Sequence, residues 1–124
     1  MLSSLERLYV RHAHPVNVIM TLIGILWGAY FLWQHDLLLA FAFGVGFPLI
    51  GHIAVIGEGE EELSDTWLGE LMLHHAHPIS SLFHFLSIFI MALGFYANTV
   101  EMVMWGFTVL LAGHLWGWGR VRMP

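Results

Sequence analysis

Four apolar stretches fill most of this 124-residue chain: residues 16–33, 37–56, 79–97 and 100–118. Each is close to the roughly 20 residues that a helix needs to cross a bilayer. Hydrophobic residues make up 58% of the chain and charged ones only 10%, against about 25% charged in soluble domains. A soluble protein this short has too little interior to hide that much apolar surface, so the solvent to assume is lipid. The segments between the stretches are short. Gln34-His35-Asp36 and Asn98-Thr99 leave room only for a tight turn, so each makes a hairpin of the two runs it joins. The expected fold is all-α: an integral membrane four-helix bundle made of two transmembrane hairpins, with short interfacial helices.

Each hairpin is introduced by nearly the same phrase. The chain reads Arg11-His12-Ala13-His14-Pro15-Val16-Asn17 and, 63 positions later, His74-His75-Ala76-His77-Pro78-Ile79-Ser80. At the far end of each hairpin stands a second shared phrase, Ile50-Gly51-His52 and Ala112-Gly113-His114. Two separate motifs recur in the same order at the same hydrophobic boundaries, which reads as an internal duplication. Residues 1–57 form repeat 1, residues 58–64 an acidic linker and residues 65–124 repeat 2 of a single membrane domain. Residues 2–11 and 67–74 mix apolar and charged side chains in the manner of helices lying at the membrane surface.

The even number of spans puts both termini and the acidic loop on one side. All four arginines (Arg7, Arg11, Arg120 and Arg122) lie at the termini, which makes that side cytoplasmic by the positive-inside rule. There is no cysteine, which excludes disulfides, thiolate metal sites and iron–sulfur clusters. There is also no lysine, and the formal charge is −5. Nucleic acid, which needs a basic face, is therefore no partner.

Nine histidines stand out in so charge-poor a chain. The topology sends His12, His14, His75 and His77 to the cytoplasmic boundary. At 1.5 Å per residue, His52, His84 and His114 fall roughly 6–9 Å below it. Ionisable groups within a bilayer mark functional sites by default, although interhelical hydrogen bonding is the plainer role for such a residue. His52, His84 and His114, joined from the boundary by His12 and His75, are the expected metal ligands. His14, His77 and Glu58 form a second tier. Neutral imidazole ligates zinc, iron, copper and nickel. Nitrogen ligation open to an oxygen-bearing substrate suits Fe(II) best, then zinc; His52 and His114 at matched depth would also suit a haem. His35 lies at the far end, away from the site, and Gly24/Gly28 and Gly113/Gly117 have the spacing of close helix contacts.

The pattern His12-x-x-Pro15-x-Asn17 with Gly24, its second copy His75-x-x-Pro78-x-Ser80 with His84, and Ile50-Gly51-His52 together resemble the membrane-bound 2-hydroxy fatty acid dioxygenases. Their motif is His-x-x-Pro-x-Asn-x3-His-x2-Gly followed by Ile-Gly-His. Thr21 replaces the second histidine in the first copy, and the acidic residue four after Gly-His is Ile56 or Trp118 here. The resemblance implies Fe(II)-dependent alpha-oxidation, which shortens a 2-hydroxy acyl chain by one carbon, with metal roles for His12, His75, His84, His52 and His114. The partners it implies are O2 and a membrane lipid or fatty acyl substrate. Two other functions fit the residues: a haem-binding electron-transfer protein, and a non-catalytic accessory subunit that works as a homo-oligomer or within a membrane complex.

Overall fold

The computed structural model describes residues 4–75 and 77–121, with side chains at positions 5, 74, 75 and 117–121 excepted. Every regular element among them is helical. Helix α1 spans Ser4–Val10 and runs into a 3-10 turn at Arg11–Ala13, followed by α2 at Pro15–Trp33. Helix α3 covers Leu37–Ala54 and contains a π-helical turn at Ala42–Gly46. Two short helices follow, α4 at Glu60–Ser64 and α5 at Trp67–His75, then α6 at Pro78–Tyr96 and α7 at Val100–Val121. Three of these, α2, α3 and α6, are long and apolar enough to cross a membrane. In α7 the apolar part is the shorter Val100–Trp116.

Local chemistry sets the helix ends. His14 and His77 hold extended backbone (ψ 133° and 131°), and each Nδ1 accepts the N–H two residues on, from Val16 at 3.2 Å and Ile79 at 3.3 Å. Both are N-caps, followed by a proline that has no N–H to leave unpaired. At the other end both long helices close in the same left-handed motif. Asp36 N–H donates to the Phe31 carbonyl and His35 N–H to Leu32; Thr99 N–H donates to Gly94 and Asn98 N–H to Phe95. The residue this motif forces to positive φ is His35 (59°) in one turn and Asn98 (54°) in the other. The two turns touch, with Asn98 Nδ2 donating to His35 Nε2 at 3.0 Å. His35 thus closes the end of its helix. It is the turn residue through which one hairpin tip holds the other.

The packing is inverted relative to a soluble protein. Asn17, Gly24, Gly28, Gly51, Ser80, Ser87, Gly94, Gly106 and Gly113 are buried, while Leu26, Leu38, Phe41, Phe85, Trp105 and Leu115 lie more than half exposed. Lipid solvates large apolar side chains as well as a protein core does, so helices gain by approaching where side chains are small. A Cβ on Gly28 would lie 2.9 Å from Gly44 Cα, and one on Gly24 2.7 Å from the Phe43 carbonyl oxygen. In the second hairpin, a Cβ on Gly106 would collide with Met91. The π turn sits just ahead of Pro48, whose ring cannot donate to the preceding turn and crowds its carbonyl; a widened turn relieves that crowding.

The second span ends at Ala54, two residues short of the apolar run, because Val55 leaves helical geometry (ψ 15°) ahead of Gly57 and Gly59 at positive φ. The acidic linker is also more ordered than a solvated loop. Helix α4 packs with α1 and α5, and α5 reaches α1, α6 and α7. The hairpins meet each other through α2 and α6.

Gly28→Leu should push α2 and α3 apart, costing about 1–3 kcal/mol as overpacking does and lowering the thermal unfolding midpoint in detergent. Gly46→Ala is the control. Nothing lies within 4 Å of a Cβ there, so stability should hold or rise slightly.

Candidate metal centre

The 3-10 turn at Arg11–Ala13 brings the first histidine to the mouth of hairpin 1. His12 Nδ1 faces the Leu8 carbonyl oxygen at 3.0 Å, so Nδ1 carries the proton and Nε2 keeps its lone pair. The His12 ring lies 5.2 Å from that of His52, centroid to centroid, with planes tilted by 42°. His52 sits in the last turn of α3, and the glycine before it lets α2 come close. A Cβ on Gly51 would stand 2.7 Å from Met20 Cβ and 3.0 Å from Asn17 Oδ1.

Asn17 decides the state of His52. It is fully buried. Its Nδ2 donates to the Arg11 carbonyl at 3.0 Å, and its Oδ1 accepts from the Thr21 hydroxyl at 3.3 Å. Those two bonds fix the amide, whose other N–H then faces His52 Nδ1 at 3.5 Å. Nδ1 is thus an acceptor and the His52 proton resides on Nε2, a buried atom without a hydrogen-bond partner. A lone pair on one ring and an unpaired N–H on its neighbour make a small polar spot.

Hairpin 2 builds a similar pair. The rings of His84 and His114 lie 5.9 Å apart at 47°. His114 Nδ1 donates to the Leu110 carbonyl at 2.8 Å, which again leaves the lone pair on Nε2. The preceding Gly113 admits Phe83, 2.5 Å from where a Cβ would be. Ser87 is fully buried, and its hydroxyl donates to the His84 carbonyl at 2.8 Å.

Four of the five expected ligands therefore occur as two pairs, one in each hairpin. The fifth, His75, has its side chain outside the described residues, as does His74. Among the described residues no three His, Asp or Glu are placed to hold one metal ion, so the described histidines stand as two pairs rather than as one ligand cluster. The second tier is occupied otherwise. His14 uses Nδ1 as a cap and Nε2 against Glu58 at 3.3 Å, and His77 caps α6. Both nitrogens of His14 have partners, so it has no atom left for a metal. Asn17 and Arg11 were not among the expected site residues. The signal was present, since Asn17 and Thr21 are the polar interruptions of the first apolar run, but only the fold shows what they touch.

For a metal the fit differs between rings. A ligating histidine usually donates its other N–H to a carbonyl or carboxylate, and His12 and His114 already do so. His52 could ligate through Nε2 only if its proton moved to Nδ1 and the Asn17 amide turned its oxygen to meet it. The chain matches no known family model, no curated protein and no solved structure.

Asn17→Ala should cost about 1–3 kcal/mol, because it strips buried partners from the Arg11 carbonyl and from His52. Nitrogen NMR of labelled His52 should show the proton on Nε2 in the native protein. In Asn17→Ala that preference should be lost.

Proposed function

We propose that this chain is a membrane metalloprotein of four spans, built from two copies of one hairpin, and that it works as an Fe(II)-dependent oxygenase on 2-hydroxy fatty acyl chains. The observation that carries the metal reading is a pair of imidazoles in each hairpin, His12 with His52 and His84 with His114, in which the Nδ1 of His12 and of His114 is held by the backbone carbonyl four residues back.

Several details support the duplication. Caps, turns and close contacts recur: His14 with His77, His35 with Asn98, Gly28 with Met91 and Met20 with Phe83 stand 63 positions apart. From within the π turn onward the spacing becomes 62, as in Gly44 with Gly106 and His52 with His114. A π turn is what one extra residue does to a helix, so Ala42–Gly46 accounts for the change of register. Helix α7 has 22 residues, about 33 Å at 1.5 Å each, enough to cross despite its shorter apolar part. With four spans, both termini and the acidic loop face one side, which the arginines assign to the cytoplasm.

In this reading the metal ligands are drawn from His12, His52, His75, His84 and His114, which would have to come together from the two pairs on binding iron, and zinc is the next candidate. Bound iron would supply redox chemistry with O2, which none of the side chains carries. The chain itself would orient the ligands through the Leu8 and Leu110 carbonyls and keep water away from His52. The alkyl tail would gain about 0.8 kcal/mol per CH2 on leaving water for the bilayer that surrounds the chain, which favours long chains. The choice of 2-hydroxy acids and alpha-oxidation rests on the motif resemblance.

Anaerobically purified protein, given Fe(II) and a 16-carbon 2-hydroxy acid, should yield an acid one carbon shorter by mass spectrometry only when O2 is admitted. His12→Ala and His114→Ala should each lower bound iron about tenfold or more, while His35→Ala should leave it unchanged. A Soret band in the purified protein would favour haem, and no turnover by iron-loaded protein would favour an accessory subunit. Tags at position 1 and at Glu61 should report the same side of the membrane; opposite sides would rule out the four-span arrangement.

A further inference from the structure

Of the acidic run in the linker, one carboxylate is drawn inward. Glu60 is only 10% exposed, and its Oε1 receives Arg11 Nε and Nη2, each at 2.6 Å, while Arg7 Nη1 stands 3.5 Å from Oε2. Glu61 and Glu62 on the same short helix remain exposed. Arg11 belongs to the site described above. It precedes His12 in the same 3-10 turn, and its carbonyl accepts from Asn17, which faces His52. The charge of a guanidinium near a half-buried imidazole pair is thus balanced by a carboxylate on a separate segment. That segment hangs on Gly57 and Gly59, both at positive φ (83° and 48°). Around the mouth, Leu8, Val16, Ile53 and Ile56 leave apolar surface exposed.

We propose that Glu60 is an internal stand-in for the anionic head of a membrane amphiphile, and that the amphiphile displaces it from Arg11. This rests on the reading of the histidine site given above, and it names the group that positions the head. A guanidinium binds a carboxylate or a phosphate through the same planar pair of N–H donors. An incoming head therefore remakes the bonds that Glu60 gives up, and partition of the apolar tail from water into the bilayer concentrates the ligand there and tips the exchange toward it. Among the described side chains, Arg11 and its neighbour Arg7 are the cations next to the His12–His52 pair. Two sources share this chemistry, a free long-chain acid and the phosphate of a resident lipid.

The test uses full-length protein in phosphatidylcholine nanodiscs, titrated with a 16-carbon 2-hydroxy acid, its methyl ester, or phosphatidylglycerol. A latch closed nine-tenths of the time weakens apparent affinity about tenfold. Glu60→Gln should therefore bind the free acid about tenfold more tightly and the ester no differently, while Arg11→Gln should lose the preference for acid over ester. Because the chain lacks cysteine, spin labels on Glu61→Cys and Gln34→Cys report the opening with Glu60 intact, even if Glu60→Gln fails to fold. The label distance should change on adding the acid and stay put with the ester. A change with phosphatidylglycerol alone would support the exchange with a lipid phosphate as the head. An unchanged distance with every addition, or a Glu60→Gln protein that binds the acid no better than the parent, overturns the proposal. Iron content measured on the same preparations keeps the readings apart: iron bound without latch opening removes only the latch, and latch opening without iron removes only the metal.

Discussion

The fold depends on how close two helices can come when lipid, rather than water, surrounds them. No hydrophobic force drives helix against helix in that solvent, so the contact must be won by short-range attraction and a few hydrogen bonds. That is why Gly28 lies against Gly44 and Gly51 against Asn17 and Met20, while leucines and phenylalanines point outward. The close approach has a second effect. It brings polar groups of neighbouring helices within reach of one another in a medium where unpaired ones are costly. The buried Asn17 can link the Arg11 carbonyl, Thr21 and His52 because glycine precedes His52.

From that contact follows the asymmetry between the imidazoles. His12 and His114 donate Nδ1–H to the carbonyl four residues back, a bond local to their own turn. His52 instead takes its protonation pattern from another helix through Asn17. Two rings are thus preset by local backbone and one by tertiary contact. The corresponding position to Asn17 in hairpin 2 is Ser80, also buried but without an amide. The two hairpins therefore share a frame while differing in the groups around their histidines, Thr21 in one standing where His84 stands in the other.

Charge is concentrated at the open ends of the hairpins. Arg7, Arg11 and His14 face Glu58 and Glu60, and Tyr9 exchanges a 2.6 Å hydrogen bond with Ser81 of the other hairpin. At the opposite ends the link is the exposed bond between His35 and Asn98. Exposed pairs of this kind contribute little on their own. Arg11–Glu60 is different because both side chains are largely withdrawn from water, where an ion pair is screened less.

Much of the architecture was legible without coordinates. Run length and hydropathy were enough for helices at Pro15–Trp33 and Pro78–Tyr96, and Pro15, Pro78 and the polar turns marked their ends, because these are local effects of chain chemistry. The recurrence of His-Ala-His-Pro and Gly-His marked which residues to watch. What stayed hidden was pairing. Depth along a helix axis places His52, His84 and His114 near one level but carries no information on azimuth, so it could not show that His12 meets His52 while His84 meets His114. Nor could it show the π turn, the drawing in of Glu60 or the protonation of His52. Each of those depends on which atoms of distant segments come within about 3.5 Å, a distance set by side-chain volume between packed helices and not by order along the chain.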